Sequence, residues 1–167
     1  MILGMSLATF TMVHVIISLV GIVSGIIVMF GMLGSNRQPG LTAIFLLFTI
    51  LTSATGFLFP FTQLLPSHVI GILSLVLLAI ACIALYAMNL SGGWRWIYVV
   101  TALISLYLNV FVLVIQSFLK IPALTAVAPG NPPSGPVFAV VQGVVLVFFV
   151  LMTIGAIRRF RPMPAFA

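Results

Sequence analysis

The chain has 167 residues, of which 63% are hydrophobic and only 4% are charged, whereas a soluble domain is about half apolar and about a quarter charged. It contains six Lys and Arg residues but no Asp or Glu, which excludes paired-carboxylate hydrolysis, a complete Ser-His-Asp triad, an EF-hand and carboxylate-held magnesium. We therefore expect an integral membrane protein without recognisable catalytic chemistry.

Five apolar runs are long enough to cross a bilayer, whose hydrocarbon core needs about 20 helical residues. Turns that are polar or rich in Pro and Gly separate them, at residues 34–40, 60–66, 89–93 and 129–136. Because only helices or closed barrels satisfy the backbone in lipid, these runs predict an all-α integral membrane bundle of five transmembrane helices. They form a single membrane domain over 1–167, with helices at 8–34, 41–60, 67–89, 96–119 and 136–157 and an outer loop at 120–135.

The basic residues predict the direction of the helices, since cytoplasmic loops carry an excess of Lys and Arg. With five spans, Lys120 falls on one side and the other five basic residues fall on the side of the C-terminus: Arg37, Arg95, Arg158, Arg159 and Arg161. We therefore expect the N-terminus outside and the C-terminus in the cytoplasm. The scattered positions of these charges argue against a nucleic-acid partner.

Small and polar residues recur along one face of several predicted helices, and in lipid such residues mark helix–helix interfaces. The predicted packing residues are Gly21 and Gly25 in the first helix, Thr52 and Gly56 in the second, and Ser105, Asn109 and Gln116 in the fourth. Packing against a neighbouring helix is the main interpretation. The alternative is that the polar members line the path of a ligand or a permeant solute.

Two histidines are candidate cofactor ligands. His14 lies 20 residues before Gly34 and His68 lies 21 residues before Asn89, which is about 30 Å along each helix. On the predicted topology both imidazoles reach a similar depth near the outer membrane boundary. Together they could ligate the iron of a haem b or a transition metal. The alternative is an interfacial role, with Ser67 capping the third helix.

Three segments resemble small uncharacterised inner-membrane proteins of proteobacteria: TSATGFLFP (52–60), LPSHVIG (65–71) and SLYLNVFVLVIQSF (105–118). The resemblance covers most of residues 10–162. It implies a multi-pass protein of the bacterial inner (plasma) membrane and no particular activity. Through its histidine-bearing spans alone, the chain also resembles haem-binding membrane bundles of the cytochrome b561 kind. Those bundles usually carry two histidine pairs, so the single pair here implies at most one haem.

Three functional hypotheses follow. The first is a scaffold or accessory subunit of a larger membrane complex, whose partners are the lipid bilayer and other membrane subunits or further copies of the chain. The second is a haem b or metal-binding electron-transfer module that uses His14 and His68. The third is a passive channel or transporter for a small neutral solute, although five spans do not divide into equal inverted repeats.

Overall fold

The computed structural model describes residues 1–61, 63 and 66–163. Six α-helices follow one another along these residues: α1 (Leu7–Leu33), α2 (Pro39–Gly56), α3 (Pro66–Cys82), α4 (Trp94–Lys120), α5 (Pro122–Val127) and α6 (Pro136–Arg159). A π-helical turn, Ile83–Ala87, continues α3 directly. The predicted all-α membrane bundle is confirmed, because α1, α2, α3 with its π turn, α4 and α6 are each long and apolar enough to cross a membrane.

The second helix ends earlier than its apolar run predicts. The run extends to Pro60, but α2 stops at Gly56. A proline ring clashes with the carbonyl group four residues before it, and here that carbonyl belongs to Gly56. Residue 65, the first of the 65–71 segment, lies outside the described residues.

Two further helix boundaries differ from the prediction. The third span does not continue as one regular α-helix to residue 89, because it passes through the π turn and ends at Ala87. Asn89 and Leu90 then have φ values of +48° and +58°, in the left-handed region that no helix continues through. The loop after α4 contains the short helix α5, with Pro122 at its first position, where proline is favoured.

Helix α4 is the centre of the bundle and contacts α1, α2, α3 and α6. The most extensive helix pair is α1 with α2. Their close approach depends on Gly25, where a Cβ atom would lie 2.6 Å from Leu106 Cδ1 and 2.7 Å from Phe45 Cδ2. A Cβ at Gly21 would lie 3.2 Å from Thr49 Oγ1. The two glycines therefore let the backbone of α1 approach both neighbours.

The last helix is held at its C-terminal end by polar contacts. Arg95 Nη1 donates to the carbonyl oxygen of Ile157, at 3.1 Å, and to that of Phe160. The backbone N–H of Arg161 donates to Ser35 Oγ at 2.8 Å. Because the last carbonyls of a helix have no partner within it, Arg95 both satisfies the end of α6 and ties that end to α4.

The two ends of the bundle are packed differently. We call the end with Arg37, Arg95 and the arginines of α6 the arginine end, and the opposite end the Lys120 end. The half nearer the arginine end, which we call the packed half, holds most of the fully buried apolar side chains, among them Met29, Met32, Phe45, Leu46, Tyr98, Val99 and Leu103. Towards the Lys120 end the helices line a partly open cavity, and Phe10 and Phe118 are buried beside it.

Candidate functional site

The candidate site is a partly open cavity of about 540 Å³ at the Lys120 end, lined by α1, α2, α3, α4 and the chain that follows α2. Ligand pockets in proteins occupy about 300–1,000 Å³ and combine apolar walls with a few polar groups. The walls here are largely aliphatic and aromatic, and each of the four helices adds polar side chains. Prominent among these are His14, Thr52, His68, Asn109, Gln116 and Lys120.

The cavity runs along α4 from Leu108 to Lys120, which is about 18 Å at 1.5 Å per residue. Half the hydrocarbon core of a bilayer is about 15 Å thick. The cavity therefore extends over about one leaflet, from the end of the bundle to near its middle. Beyond that depth the packed half begins, where Leu106 is fully buried.

His14 is joined to α2 by a hydrogen bond. Its Nδ1 lies 2.8 Å from Thr55 Oγ1, and the Thr55 hydroxyl lies 2.6 Å from the carbonyl oxygen of Leu51, to which it can donate. When the hydroxyl donates to Leu51, its oxygen accepts from His14 Nδ1–H, and Nε2 of the neutral ring then carries a lone pair. The ring also packs edge-to-face on Phe59, with centroids 5.2 Å apart.

His68 lies in the first turn of α3 and is buried. Its ring packs against Phe57 and Phe61, with centroid distances of 5.6 Å and 4.2 Å. Both phenylalanines belong to the chain that follows α2. The structure therefore brings the two predicted histidines, from α1 and α3, to the wall of one cavity and surrounds both with aromatic rings.

Asn109 lies deep in the cavity wall, on α4. Its Nδ2 is buried and has no hydrogen-bond partner among the described residues. An unpaired buried donor of this kind costs roughly 1–3 kcal/mol. A bound molecule with an acceptor group near Asn109 would remove that cost.

The predicted packing residues fall into two groups in the structure. Three of them, Gly21, Gly25 and Ser105, are buried in the packed half, and the Ser105 hydroxyl donates within its own helix, to the Thr101 carbonyl at 2.8 Å. The other four line the cavity: Thr52, Gly56, Asn109 and Gln116. Gly56 adjoins His14, since a Cβ there would lie 3.9 Å from His14 Cε1.

Sequence reasoning missed two components of the site. Lys120 lines the cavity, whereas its position in the sequence indicated only a charge that helps to orient the helices. Phe57, Phe59 and Phe61 contribute the aromatic wall. Nothing in the sequence indicated them, because Phe57 and Leu58 form a hydrogen-bonded turn after α2 and not an extended segment.

No group of three or more His, Cys, Asp or Glu side chains that could hold a metal ion occurs among the residues that the structure describes. The chain matches no protein-family model, no curated protein and no solved structure. The fold alone therefore defines its class, a multi-pass α-helical membrane protein in contact with the lipid bilayer. The resemblances to small inner-membrane proteins of proteobacteria and to bundles of the cytochrome b561 kind stay predictions.

Proposed function

We propose that this membrane protein binds a small amphiphilic molecule in the cavity at the Lys120 end. The single observation that carries the proposal is the cavity itself, about 540 Å³ in volume and lined by polar groups within the membrane-spanning part of the chain. A mostly apolar wall accepts a hydrocarbon portion, and the polar groups orient the rest of the molecule.

The cavity favours ligand binding over the scaffold and channel hypotheses. A scaffold has no need of an interior space, because empty volume in a helix bundle gives up the packing contacts that hold membrane helices together. A continuous channel would have to pass the packed half, where Met29, Phe45 and Leu106 are each 0% exposed. The chain also has no carboxylate side chain with which to couple a cation.

The test fills the cavity without disturbing the packed half. Gly56→Leu places a side chain at the cavity wall, where the nearest neighbouring atom is 3.9 Å from the new Cβ. Gly143→Leu is the matched control, because Gly143 is exposed on α6 and a Cβ there would have no neighbouring atom within 4 Å. Each protein is reconstituted into zwitterionic lipid nanodiscs and titrated with tritiated oleate and tritiated oleyl alcohol.

We expect saturable binding of at least one probe to the wild type and to Gly143→Leu, above the background of empty nanodiscs. Gly56→Leu should lose that binding while keeping its thermal stability. If neither probe binds saturably, or if Gly56→Leu binds as well as Gly143→Leu does, the proposed function is wrong.

A second candidate function is haem b binding, which the position of both histidines on one cavity favours. His14 would hold the haem iron through Nε2, since its Nδ1 is hydrogen-bonded to Thr55, as the second ring nitrogen of metal-ligating histidines usually is. His68 on the wall of the same cavity would be the other ligand, and Lys120 would be a cation available to the propionates. A bound haem would supply one-electron redox chemistry.

An optical spectrum separates the two candidates. Protein expressed with ample haem should show a Soret band that His14→Ala abolishes and Ser18→Ala, one turn further along α1, leaves intact. A colourless preparation would exclude the haem candidate and leave amphiphile binding unaffected.

The accessory-subunit role stays a prediction, and so does the location in a bacterial inner membrane with the N-terminus outside. Co-purification of a stable partner in mild detergent supports the subunit role. A chain that remains monomeric and alone in several such detergents contradicts it.

A further inference from the structure

We propose that the cavity takes an acidic amphiphile, a single acyl chain with a carboxylate or phosphate head group, and that Lys120 binds this head group. The inference rests on the proposed function and specifies its ligand class. Three features carry it: the charge at the mouth of the cavity, the helix end beside that charge, and the length of the cavity.

The sequence provides no acidic side chain to pair with the charge beside the cavity. Lys120 lies at the last position of α4, lines the cavity and is exposed. The chain has no Asp or Glu at any position, so no side chain can form an ion pair with this ammonium group. A negative group that enters the cavity meets attraction from Lys120 and no repulsion from an acidic side chain.

The amino-terminal end of α3 lies at the same mouth. Its first-turn residues Ser67 and His68 line the cavity together with Lys120. The N-terminus of a helix carries a partial positive charge and favours anions. The negative C-terminal end of α4 also reaches this level, but Lys120 stands in its last turn and offsets it. The C-terminal end of α2 at Gly56 also lies beside the cavity, so the full positive charge of Lys120 is what favours an anion here.

The length of the cavity matches a single acyl chain. It extends about 18 Å along α4, close to the thickness of one leaflet, which is the distance that one lipid chain spans. The cavity reaches the end of the bundle at Lys120, which is exposed, and lipid head groups would lie at this level. An amphiphile with its head group at Lys120 would thus keep its chain at the depth that it has in the bilayer.

The experiment compares molecules that differ only in the head group. Oleate, 1-oleoyl lysophosphatidate and oleyl alcohol, all tritiated, are titrated against the full-length protein in zwitterionic nanodiscs. Lys120→Gln removes the charge, Lys120→Arg keeps it, and Arg158→Gln makes the same change in net charge at the arginine end, on an exposed residue.

We expect the acidic probes to bind about tenfold more tightly than oleyl alcohol, since charge-assisted contacts add to the apolar ones. Lys120→Gln should lower the affinity for the acidic probes to about that for the alcohol, whereas Lys120→Arg and Arg158→Gln should retain the preference. The comparison of oleate with lysophosphatidate shows whether the head group is a carboxylate or a phosphate. Raising the salt concentration should weaken only the binding of the acidic probes.

A result that overturns the acidic head group can be told apart from one that overturns amphiphile binding. Equal affinity for all three probes, blocked by Gly56→Leu and unchanged by Lys120→Gln, would leave amphiphile binding in place and overturn the acidic head group. In that case Lys120 contacts only the head groups of the surrounding bilayer. If no probe binds saturably, both proposals fall together.

Discussion

At the scale of single residues, Gly25 shows most clearly how the packed half is held together. An added methyl group there would overlap Leu106 and Phe45, at 2.6 Å and 2.7 Å. Gly25→Ala should therefore lower the free energy of unfolding by roughly 1–3 kcal/mol, as over-packing does in tight cores, even though alanine is the better helix former. Equilibrium unfolding in mixed detergent micelles measures the change.

The control for this prediction is Gly143→Ala. Gly143 lies on an exposed part of α6, and a Cβ there would meet nothing within 4 Å. The control should be neutral or slightly stabilising, because alanine gains helix propensity of about 1 kcal/mol. Equal destabilisation by both substitutions would show that the close approach at Gly25 is not a packing constraint.

Helical periodicity alone predicted only part of what these residues do. The helical spacing of Gly21, Gly25, Asn109 and Gln116 predicted faces that point into the bundle. In the structure the two glycines contact neighbouring helices and the two amides line the cavity. Spacing could not separate the two glycines, which touch neighbouring helices, from the two amides, which border a cavity. That difference depends on how far apart the helices stand, which is set by residues distant in the sequence.

At the scale of helices, α6 depends on Arg95 for its attachment at the arginine end. This guanidinium donates to two carbonyl oxygens at the end of α6, and hydrogen bonds that involve a charged group contribute about 1.5–3 kcal/mol each. Arg95→Ala should lower the free energy of unfolding by roughly 2–3 kcal/mol. It should also speed amide hydrogen exchange at residues 157–161, which hydrogen-exchange mass spectrometry detects.

Arg158→Ala is the matched control, because Arg158 lies in the last turn of the same helix and its side chain is exposed. We expect it to leave both measurements almost unchanged. Similar effects from the two substitutions would mean that positive charge at this end, and not the specific contacts of Arg95, holds the helix.

The number of long apolar helices and their α-helical type were predictable from the sequence, because such runs in lipid have one stable backbone solution. The helix boundaries were less predictable. The end of α2 at Gly56 follows from Pro60, a local rule that the apolar run obscured. The π turn at Ile83–Ala87 leaves no such mark in the sequence, because its residues are as apolar as those of the α-helix before it.

At the scale of the whole molecule, the membrane bundle is dense at one end and open at the other. The basic residues follow the same division, with five at the arginine end and Lys120 alone beside the cavity. Because basic loops favour the cytoplasm, we infer that the cavity opens on the outer side of the membrane. A ligand would then enter from outside or from the outer leaflet.

We expect the chain to cross the membrane five times with the Lys120 end on the outer side, and cysteine labelling tests both points. In a Cys82→Ala background, single cysteines replace the exposed residues Gln63 and Asn131 near the Lys120 end and Asn36 and Ser91 near the arginine end. An impermeant maleimide added to intact spheroplasts should label positions 63 and 131, and should reach 36 and 91 only after permeabilisation. Labelling of position 36 or 91 in intact spheroplasts would contradict the expectation that the arginine end faces the cytoplasm.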